Sequence, residues 1–439
     1  MMTIQDVLWA YTEGRREYEE LIAAAEPVIF RVEELYSAQD QTAELCGKIA
    51  AGDNLSYMLY LLKERQMAGA FQVIYADPPF LSNSKYQASI KVSSEKLGAS
   101  PVMKIDAYDD LWREAPAEYL RMLTVRLLLM RDLLSEEGCI WVHLDWHAVH
   151  YVKILMDQIF GEQNFINEII WAYKSGGASR RTFSRKHDTL LVYGKTQRYV
   201  FFPQKEKSYN RDMKPYHFKN VEEFQDERGW YTMVNMKDVW EIDMVGRTSA
   251  ERTGYATQKP EKLMERIIAS CSRQGDLCGD FFAGSGTLGA VCQKQGRRWI
   301  MCDAGKLATA GQISRMANLN ADFSVERCSH VENGRFHWKI GADEMFALLE
   351  YIPADKEDFS MAEAHMDVLK PYLREDSLSH LQIWSIDLDY DGTCHRADKI
   401  CTSGEYEISL QKRENGRIHI IGYDLWGNRI EQEVTISCT

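Results

Sequence analysis

This sequence of 439 residues contains no run of 18 or more apolar residues, so no membrane-spanning helix is predicted. The first residues carry neither a basic start nor an apolar core, so no secretory signal peptide is expected. The ten cysteines include no C-x-x-C pair, which argues against a zinc site and against a disulfide framework. Free thiols are typical of a reducing compartment, and we expect a cytoplasmic protein.

Two further kinds of site lack support in the sequence. No G-x-S-x-G nucleophile elbow is present, so a Ser-His-Asp hydrolase is not indicated. His143, Asp145 and His147 alternate at the end of a predicted strand, but no fourth ligand is spaced nearby. We therefore expect no metal site in this protein.

Positive charge is scarce overall but concentrated in one segment. The formal net charge is −13, which argues against a bulk attraction to nucleic acids. Between Trp171 and Lys219, however, twelve Lys or Arg residues stand against three Asp or Glu residues. Such a basic segment indicates nucleic-acid binding better than net charge does, although a merely solvated surface is the alternative. The candidate DNA-binding residues are Lys174, Arg180, Arg181, Arg185 and Lys186.

Prolines are few, yet two of the ten are adjacent, in Asp77-Pro78-Pro79-Phe80. The apolar run Phe71–Ala76 before them predicts a buried strand, and ligands of open α/β sheets bind where such strands end. The prolines fix φ and remove two N–H groups, which leaves a stiff turn with outward carbonyls. A carboxylate, a carbonyl and a flat ring suit a planar group with an amino nitrogen, such as a base outside its stack. A proline turn above a packed aromatic ring is the structural alternative.

A second stretch, Asp280-Phe-Phe-Ala-Gly-Ser-Gly-Thr287, joins a predicted strand to a predicted helix. Gly284 and Gly286 permit a tight turn and let a ligand approach the backbone. Asp303 follows the next predicted strand, where Rossmann-like sites hold a ribose hydroxyl pair. A dinucleotide-binding dehydrogenase is the weaker alternative, and a glycine turn without any ligand is the other.

Together and in this order, the two stretches resemble the site-specific DNA amino-methyltransferases of the β arrangement. In that family a D-P-P-aromatic catalytic motif precedes an F-x-G-x-G cofactor motif. The resemblance covers roughly residues 50–310 and is strongest to the modification subunits of type III systems and their solitary relatives. Other family-like segments are Gly52–Leu55, Gly138–Asp145, Phe160–Phe165, Lys186–Tyr193 and Thr257–Met264.

Two positions depart from the usual family motifs. Phe281 stands where the cofactor motif usually has proline, and Phe80 stands where tyrosine is commoner. Stacking by Phe80 needs the ring and not the hydroxyl, and the change at Phe281 removes no group that the chemistry requires. Both changes therefore bear on fine specificity more than on activity.

The resemblance implies a cofactor, a target and a set of site residues. The cofactor is S-adenosylmethionine, and the expected target is adenine N6 in double-stranded DNA, reached by base flipping. Cytosine N4 and a non-catalytic DNA-binding subunit are the alternatives. A second copy of the chain and a restriction subunit both stay open as partners. Because this chain has no helicase or nuclease motif, any DNA cleavage would have to come from another protein. The implied catalytic residues are Asp77, Pro78, Pro79 and Phe80, and the implied cofactor-binding residues are Lys259, Pro260, Asp280, Phe282, Gly284, Ser285, Gly286, Thr287 and Asp303.

The expected fold class is α/β. It comprises a Rossmann-like, S-adenosylmethionine-dependent methyltransferase sheet, N-terminal helices and a small C-terminal antiparallel β domain. The expected divisions are a helical segment over 1–45, a methyltransferase domain over 46–322 with a target-recognition insertion at 195–256, and a β-rich domain over 323–439. Apolar spacing predicts helix through residues 4–45 and again from Pro116. Residues 81–104 predict a mobile loop, either a lid or plain connection.

Overall fold

The computed structural model describes most of the chain. The described ranges are 2–37, 46–92, 101–112, 115–175, 179–217, 219–328, 335–340, 345–352, 372, 375–402, 404–409 and 416–435. Within them, no helix combines the length and apolar character needed to cross a bilayer. The helices are α1 (Ile4–Ala23), α2 (Asn54–Lys63), α3 (Pro116–Leu133), α4 (Val149–Phe160), α5 (Glu261–Cys271), α6 (Thr287–Lys294) and α7 (Lys306–Asn318).

The strands fall into one large and several small sheets. They are β1 (Arg31–Tyr36), β2 (Gly47–Ala51), β3 (Phe71–Ala76), β4 (Ser84–Lys91), β5 (Val102–Asp110), β6 (Leu134–Leu144), β7 (Phe165–Ala172), β8 (His187–Gly194), β9 (Lys205–Tyr209), β10 (Glu223–Asp226), β11 (Gly229–Asn235), β12 (Val239–Glu241), β13 (Leu277–Asp280), β14 (Arg298–Asp303), β15 (Phe323–Arg327), β16 (Arg335–Ile340), β17 (Met345–Ile352), β18 (Leu381–Asp387), β19 (His395–Ala397), β20 (Lys399–Thr402), β21 (Glu407–Ser409), β22 (Arg417–Asp424) and β23 (Arg429–Thr435).

The large sheet has the strand order β12-β7-β8-β6-β3-β13-β14-β2-β15-β1-β19. Its centre, from β6 to β15, is parallel, while β8 runs antiparallel to β6 and β7. The expected largely parallel α/β sheet is confirmed. The chain extends outward from β3 through β6 in one direction and from β13 through β14 in the other. The β3–β13 boundary is therefore a topological switch point, and ligands bind beyond the carboxyl ends of strands at such points.

Helices cover both faces of the sheet, so the central strands are buried on both sides. In β3, Ile74 and Ala76 pack against the layer that contains α2, α3 and α4, whereas Val73 and Tyr75 pack against the layer that contains α5, α6 and α7. This alternation follows the two-residue period of a strand. A continuous apolar run such as Phe71–Ala76 is what a doubly covered strand requires.

The N-terminal segment is only partly helical. Helix α1 is confirmed, but the helical interpretation of Arg31–Tyr36 is wrong, because these residues form β1. Strand β1 pairs antiparallel with β15 and parallel with β19, and both partners lie hundreds of residues away. Pairing at that distance overrides local apolar spacing. Residues 38–45 of the predicted helical segment lie outside the described ranges.

The expected loop over 81–104 is in part a β-hairpin. Strands β4 and β5 pair antiparallel over their whole length, so the prediction of an irregular loop is wrong there. Ala88, Val92 and Met103 are buried, and Ser89 N donates to the carbonyl of Gly254 at 2.8 Å. The alternation of apolar side chains in β4 has the period of a strand, but the many polar residues between them masked it. Residues 93–100 lie outside the described ranges.

Small antiparallel sheets accompany the central one, as expected for the C-terminal part. They have the orders β16-β17-β21 and β20-β18-β22-β23, and the segment 195–256 supplies a third, β10-β11-β9. Strands β15 and β19 nevertheless belong to the central sheet. The domain boundaries at 45 and 322 therefore stay a prediction. Residues 329–334, 341–344, 353–371, 373–374, 403, 410–415 and 436–439 of the predicted β domain lie outside the described ranges.

A buried ion cluster fastens the C-terminal strands to the central sheet. The carboxylate of Glu34, on β1, accepts hydrogen bonds from Arg429 at 2.9 Å, from Arg327 at 3.2 Å and from Tyr423 at 2.5 Å. Burial acts to raise the pKa of Glu34, but the charges of Arg429 and Arg327 outweigh it and lower this pKa to about 2. The cluster joins strands from both ends of the chain, which explains why a charged residue lies fully buried in β1.

Three histidines are buried among the described C-terminal residues, His380, His395 and His419, and His380 shows how such a group makes the fold sensitive to acid. Burial lowers the pKa of His380 from 6.5 to about 4. The unfolded chain therefore binds this proton below about pH 6.5 and the folded chain only below about pH 4, so stability falls as the pH drops through that window. From His380 alone we expect a loss of up to about 3 kcal/mol in the free energy of unfolding between pH 7 and pH 4.5, measured by urea titration as the difference between the wild type and a variant without this histidine.

The His380→Gln variant should lose that part of the pH dependence. The control is His337→Gln, since His337 is exposed on β16. Equal pH slopes in the two variants would contradict the assignment to His380.

Candidate active site

The two motifs singled out in the sequence meet at one cavity of about 390 Å³. Strands β3 and β13 are parallel neighbours, with Tyr75 opposite Asp280. Asp77 follows β3 directly, and Asp303 ends the next strand, β14. All three carboxylates line the cavity, which confirms the expectation that the proline corner and the glycine turn share a cleft.

The cavity is acidic and walled by aromatic rings. Its acidic lining residues are Asp53, Asp77, Asp109, Asp280 and Asp303, and its basic ones are Arg126 and Lys259. The aromatic lining residues are Tyr75, Tyr108, Trp112, Tyr255, Phe281 and Phe282. Excess negative charge among apolar walls favours a ligand that carries a positive charge and a flat group.

Lys259 joins the two motifs. Its Nζ lies 2.5 Å from Oδ2 of Asp77 and 5.3 Å from the centroid of the Phe80 ring. Its own carbonyl accepts a hydrogen bond from Thr287 Oγ1 at 3.1 Å, at the start of α6. Oδ1 of Asp77 is buried and has no hydrogen-bond partner within the described ranges. One carboxylate oxygen at the centre of the site thus remains available to a donor group.

The turn after the proline pair is held by Asp110, the last residue of β5. This buried carboxylate accepts hydrogen bonds from the backbone N–H groups of Phe80, Leu81 and Ser82 at 3.1, 3.2 and 2.7 Å, and from Ser82 Oγ at 2.7 Å. Tyr119 Oη donates to the carbonyl of Pro79 at 2.6 Å. Asp110 compensates for the donors that the turn leaves unpaired, and it fixes the position of the Phe80 ring.

His143 supports the Phe80 ring from the neighbouring strand. The two rings lie 5.7 Å apart at an angle of 29°. His143 Nδ1 contacts Tyr75 Oη at 2.7 Å, and Nε2 contacts Asp188 Oδ2 at 3.2 Å. Both ring nitrogens are therefore engaged by hydrogen-bond partners, which accounts for this histidine without a metal.

The glycine turn binds the acid that follows it. Gly284 N donates to Oδ2 of Asp303 and Gly305 N donates to Oδ1, both at 2.8 Å. Gly284 and Gly286 have φ of +47° and +73°, in the region that favours glycine. Gly289 completes a G-x-G-x-x-G spacing, and a Cβ there would lie 2.6 Å from Met301 Sδ. The glycines alone therefore do not separate methyltransferases from dinucleotide-binding proteins.

Asp280 is the most deeply placed acid of the cavity. Burial raises its pKa well above the usual value, an effect that the hydrogen bond from Phe282 N partly offsets. The neighbouring charges of Asp77 and Asp303 act in the same direction as burial. Burial likewise raises the pKa of Asp303. A cation bound in this cavity would favour the ionised form of both groups.

The remaining predicted residues lie behind the cavity or on its wall. Ser285 and Thr287 line it, and Arg315 holds the carbonyl of Ser285 at 3.0 Å. Pro78, Phe80, Pro260 and Gly286 are not among the lining residues. Pro260 precedes α5 as its N-cap residue, so it sets the direction in which the backbone leaves Lys259.

Sequence reasoning missed a group of polar residues beneath the glycine turn. Asn54 Nδ2 donates to the carbonyl of Phe281 at 2.7 Å, and Arg126 donates to Asn54 Oδ1 at 2.6 Å and to Asp53 Oδ1 at 3.1 Å. The family-like segment Gly52–Leu55 contains Asp53 and Asn54 and was therefore a signal for these two residues. Arg126 lies within the apolar periodicity of α3, and nothing in its local sequence distinguishes it.

The predicted DNA-binding residues lie outside the cavity but at the same edge of the sheet. Pairing of Leu144 with Thr189 places the β7–β8 connection beside the carboxyl end of β6. Lys186 is half-buried, and its Nζ donates to the carbonyls of Lys174 and Ser175 at 3.3 and 3.1 Å. The exposed candidates of this connection are Lys174, Arg180, Arg181 and Arg185.

Comparison with known proteins gives a family and several relatives. The family described as DNA methylase, which groups N6 and N4 enzymes, matches residues 71–310. The type II methyltransferase M.EcaI of Enterobacter cloacae is 25% identical over 341 residues, which cover 64% of this chain and 71% of that protein. M2.DpnII of Streptococcus pneumoniae is 29% identical over 244 residues, 54% of this chain and 79% of its own. M.HpaI of Haemophilus parainfluenzae is 31% identical over 174 residues, 40% and 52% of the two chains.

Two solved structures of DNA methyltransferases are among the matches to this chain. The cytosine-N4-specific PvuII DNA methyltransferase has a TM-score of 0.42 at 14% identity and covers 65% of this chain and 90% of its own. The M1.HpyAVI–SAM complex has a TM-score of 0.39 at 16% identity and covers 62% and 98%. The named sequence relatives are type II enzymes, and the likeness to type III modification subunits stays a prediction.

Replacing Asp110 by alanine should destabilise the fold measurably. The change leaves three backbone N–H groups beside Phe80 without their acceptor, and we expect a loss of about 3 kcal/mol in the free energy of unfolding. Urea titration measures it. The matched control is Asp109→Ala, because the Asp109 side chain is half exposed and its Oδ2 lies 3.6 Å from Nζ of Lys85 in a surface ion pair. Equal losses in the two variants would refute the role of Asp110.

Proposed function

Because this chain belongs to the DNA methylase family, we propose that it transfers a methyl group from S-adenosylmethionine to N6 of adenine in double-stranded DNA. The observation that carries the proposal is the single cavity shared by Asp77 and the glycine turn. A donor and an acceptor of a methyl group must meet within one site, and the parallel pairing of β3 with β13 provides that site.

The residues present fit this cofactor. A cavity of about 390 Å³ lies within the usual size range of small-molecule sites. Its five carboxylates against two basic side chains favour a cationic ligand. Asp303 would hold the ribose hydroxyl pair, since each of its oxygens accepts one backbone N–H and keeps a further lone pair. The other lining residues that would hold the cofactor are Lys259, Asp280, Phe282, Gly284, Ser285 and Thr287. Pro260 and Gly286 do not line the cavity and would act by setting the course of the backbone behind it.

S-adenosylmethionine supplies a methyl group bonded to a positively charged sulfur, which retains the bonding electron pair when the methyl leaves. The residues of this chain prepare the acceptor. The Phe80 ring would stack on a base turned out of the helix, because Asp110 and His143 fix its position. The free Oδ1 of Asp77 and the carbonyl of Pro78 would accept hydrogen bonds from the amino group.

These contacts orient the amino nitrogen so that its lone pair faces the methyl carbon. The nitrogen gains a bond to carbon and carries a positive charge until it releases one N–H proton to solvent. Asp77 stabilises that developing charge. An exocyclic amine is a weak nucleophile, so positioning must supply much of the rate.

Adenine is the proposed base because the Asp-Pro-Pro-aromatic form of the motif dominates among the N6 enzymes of the family. Double-stranded DNA is the proposed partner, with phosphate contacts from Lys174, Arg180, Arg181, Arg185 and Lys186. A second copy of the chain and a restriction subunit stay predictions.

The central test is methyl transfer by the purified full chain. Amplified genomic DNA is unmethylated and contains every short sequence, so we expect N6-methyladenine in its nucleosides, detected by mass spectrometry with isotope-labelled cofactor. Asp77→Ala should reduce transfer more than about 1,000-fold, because the amino group loses its acceptor and its charge stabilisation. Cofactor binding should persist and weaken by no more than about tenfold, since Asp77 is one of five carboxylates in the cavity and Asp303 with the glycine turn is retained.

N4-methylcytosine as the product would replace the proposed target. Normal transfer by Asp77→Ala would refute the role of that residue. Absence of transfer by the wild-type chain would overturn the proposed activity.

Removal of the positive charge of Lys259 is expected to change the affinity for the cofactor. Removing its ammonium in Lys259→Met takes a positive charge away from a site that binds a cation. We expect S-adenosylmethionine to bind about fivefold tighter relative to its uncharged product, S-adenosylhomocysteine. Calorimetric titration of both ligands measures the ratio. The control is Lys262→Met on the exposed face of α5, where the ratio should stay constant; an unchanged ratio in Lys259→Met would contradict the prediction.

A further inference from the structure

The connection between β7 and β8 presents one unusually exposed aromatic ring. Phe183 is 99% exposed, whereas the other exposed large apolar side chains of the described ranges reach at most 69%. A single exposed apolar residue needs no explanation by itself. The surroundings of Phe183, its charge environment and its place beside the Phe80 ring together indicate a function.

Phe183 lies on a turn with defined internal hydrogen bonds. Ser179 Oγ accepts from the N–H groups of Arg181 and Thr182 at 3.3 and 3.1 Å, and Ser184 Oγ accepts from Ser179 N at 3.3 Å. These bonds close the backbone behind the ring. Phe183 therefore projects outward from a shaped turn.

The sequence segment around this ring carries only positive charge, although Asp243 from another segment accepts a hydrogen bond from Lys174 N at 3.1 Å. Positions 174–187 contain Lys174, Arg180, Arg181, Arg185 and Lys186 and no Asp or Glu. The guanidinium of Arg185 lies 3.8 Å from the centroid of the Trp146 ring, which is itself 44% exposed. Basic side chains close in sequence to an exposed apolar ring match the surface of a nucleic-acid duplex, with phosphates outside and stacked bases within.

The turn emerges beside the ring on which the target base is proposed to stack. Asp188, at the start of β8, contacts His143 at 3.2 Å, and His143 packs against Phe80 at 5.7 Å. The end of this connection therefore reaches the Phe80 ring through two successive contacts, from Asp188 to His143 and from His143 to Phe80. DNA bound against the basic turn would present its bases at the mouth of the cavity.

We propose that Phe183 enters the DNA stack at the target site and fills the space left by the base that turns out toward Phe80. This inference rests on the proposed function and names the residue that stabilises the extruded state. Turning a base out costs unstacking and unpairing energy, and an inserted apolar side chain offsets part of that cost by covering the exposed neighbouring bases.

The test compares methyl transfer on two duplexes that contain the site mapped with the wild-type chain. In one duplex the target base is paired, and in the other it stands opposite a mismatch that already weakens its stacking. Phe183→Ala should lower kcat/KM about 30-fold on the paired duplex and at most about threefold on the mismatched one. Phe183→Trp should restore the paired duplex to within about threefold of wild type.

The matched control is Phe201→Ala. Phe201 is also exposed, but its neighbour Val200 donates to the carbonyl of Glu137 at the opposite end of β6, so it lies far from the catalytic edge. This variant should resemble the wild type on both duplexes. Because Phe183 makes no packing contact, its replacement should leave thermal unfolding unchanged.

Equal losses for Phe183→Ala on the paired and mismatched duplexes, or a loss no larger than that of Phe201→Ala, would overturn the inference while methyl transfer by the wild type upholds the proposed function. A wild-type chain that methylates neither duplex nor genomic DNA would overturn the proposed function and this inference with it.

Discussion

The parallel pairing of β3 with β13 is the constraint on which the site depends. Asp77, directly after β3, and Asp280, at the end of β13, are separated by about 200 residues of chain, yet the register sets Asp280 opposite Tyr75. Because the strands are parallel, both end at the same edge of the sheet, and the two loops that follow must share the space above it. An antiparallel pair would have placed the proline corner and the glycine turn at opposite edges.

That arrangement concentrates negative charge, which the protein compensates only in part. Burial and the neighbouring carboxylates raise the pKa of Asp280, so the folded chain holds this group in an environment that disfavours its ionised form. Lys259 and Arg126 offset the charge at two separate places, one beside Asp77 and one beside Asp53. The residual imbalance is an electrostatic cost of folding that a cationic ligand would relieve, which links affinity for such a ligand to the stability of the site.

Much of the fold and of the site could be predicted because it is encoded locally. The strand Phe71–Ala76, the helix that begins at Pro116 and the turn at Gly284 each follow from composition within a few residues. Strand β1 and the hairpin β4–β5 could not be predicted in this way, since the first depends on partners remote in sequence and the second has its apolar period hidden among polar residues. The roles of Asp110 and Arg126 could not be predicted either, because they arise from contacts that only the folded chain creates.

The edge of the sheet carries two opposite electrostatic surfaces, and under the proposed function their separation would allow an acidic protein to act on a polyanion. The acids lie inside the cavity, whereas the exposed cations of the β7–β8 connection lie outside it. Phe80 contacts Lys259 of the cavity, and His143 links Phe80 to Asp188 at the start of β8. At physiological ionic strength, exposed charges act over about 8 Å, so a duplex at the basic surface is largely screened from acids elsewhere on the protein surface. Only a base that leaves the duplex would enter the acidic cavity. Adenine and cytosine are both neutral, and crossing between the two surfaces therefore moves no net charge into the site.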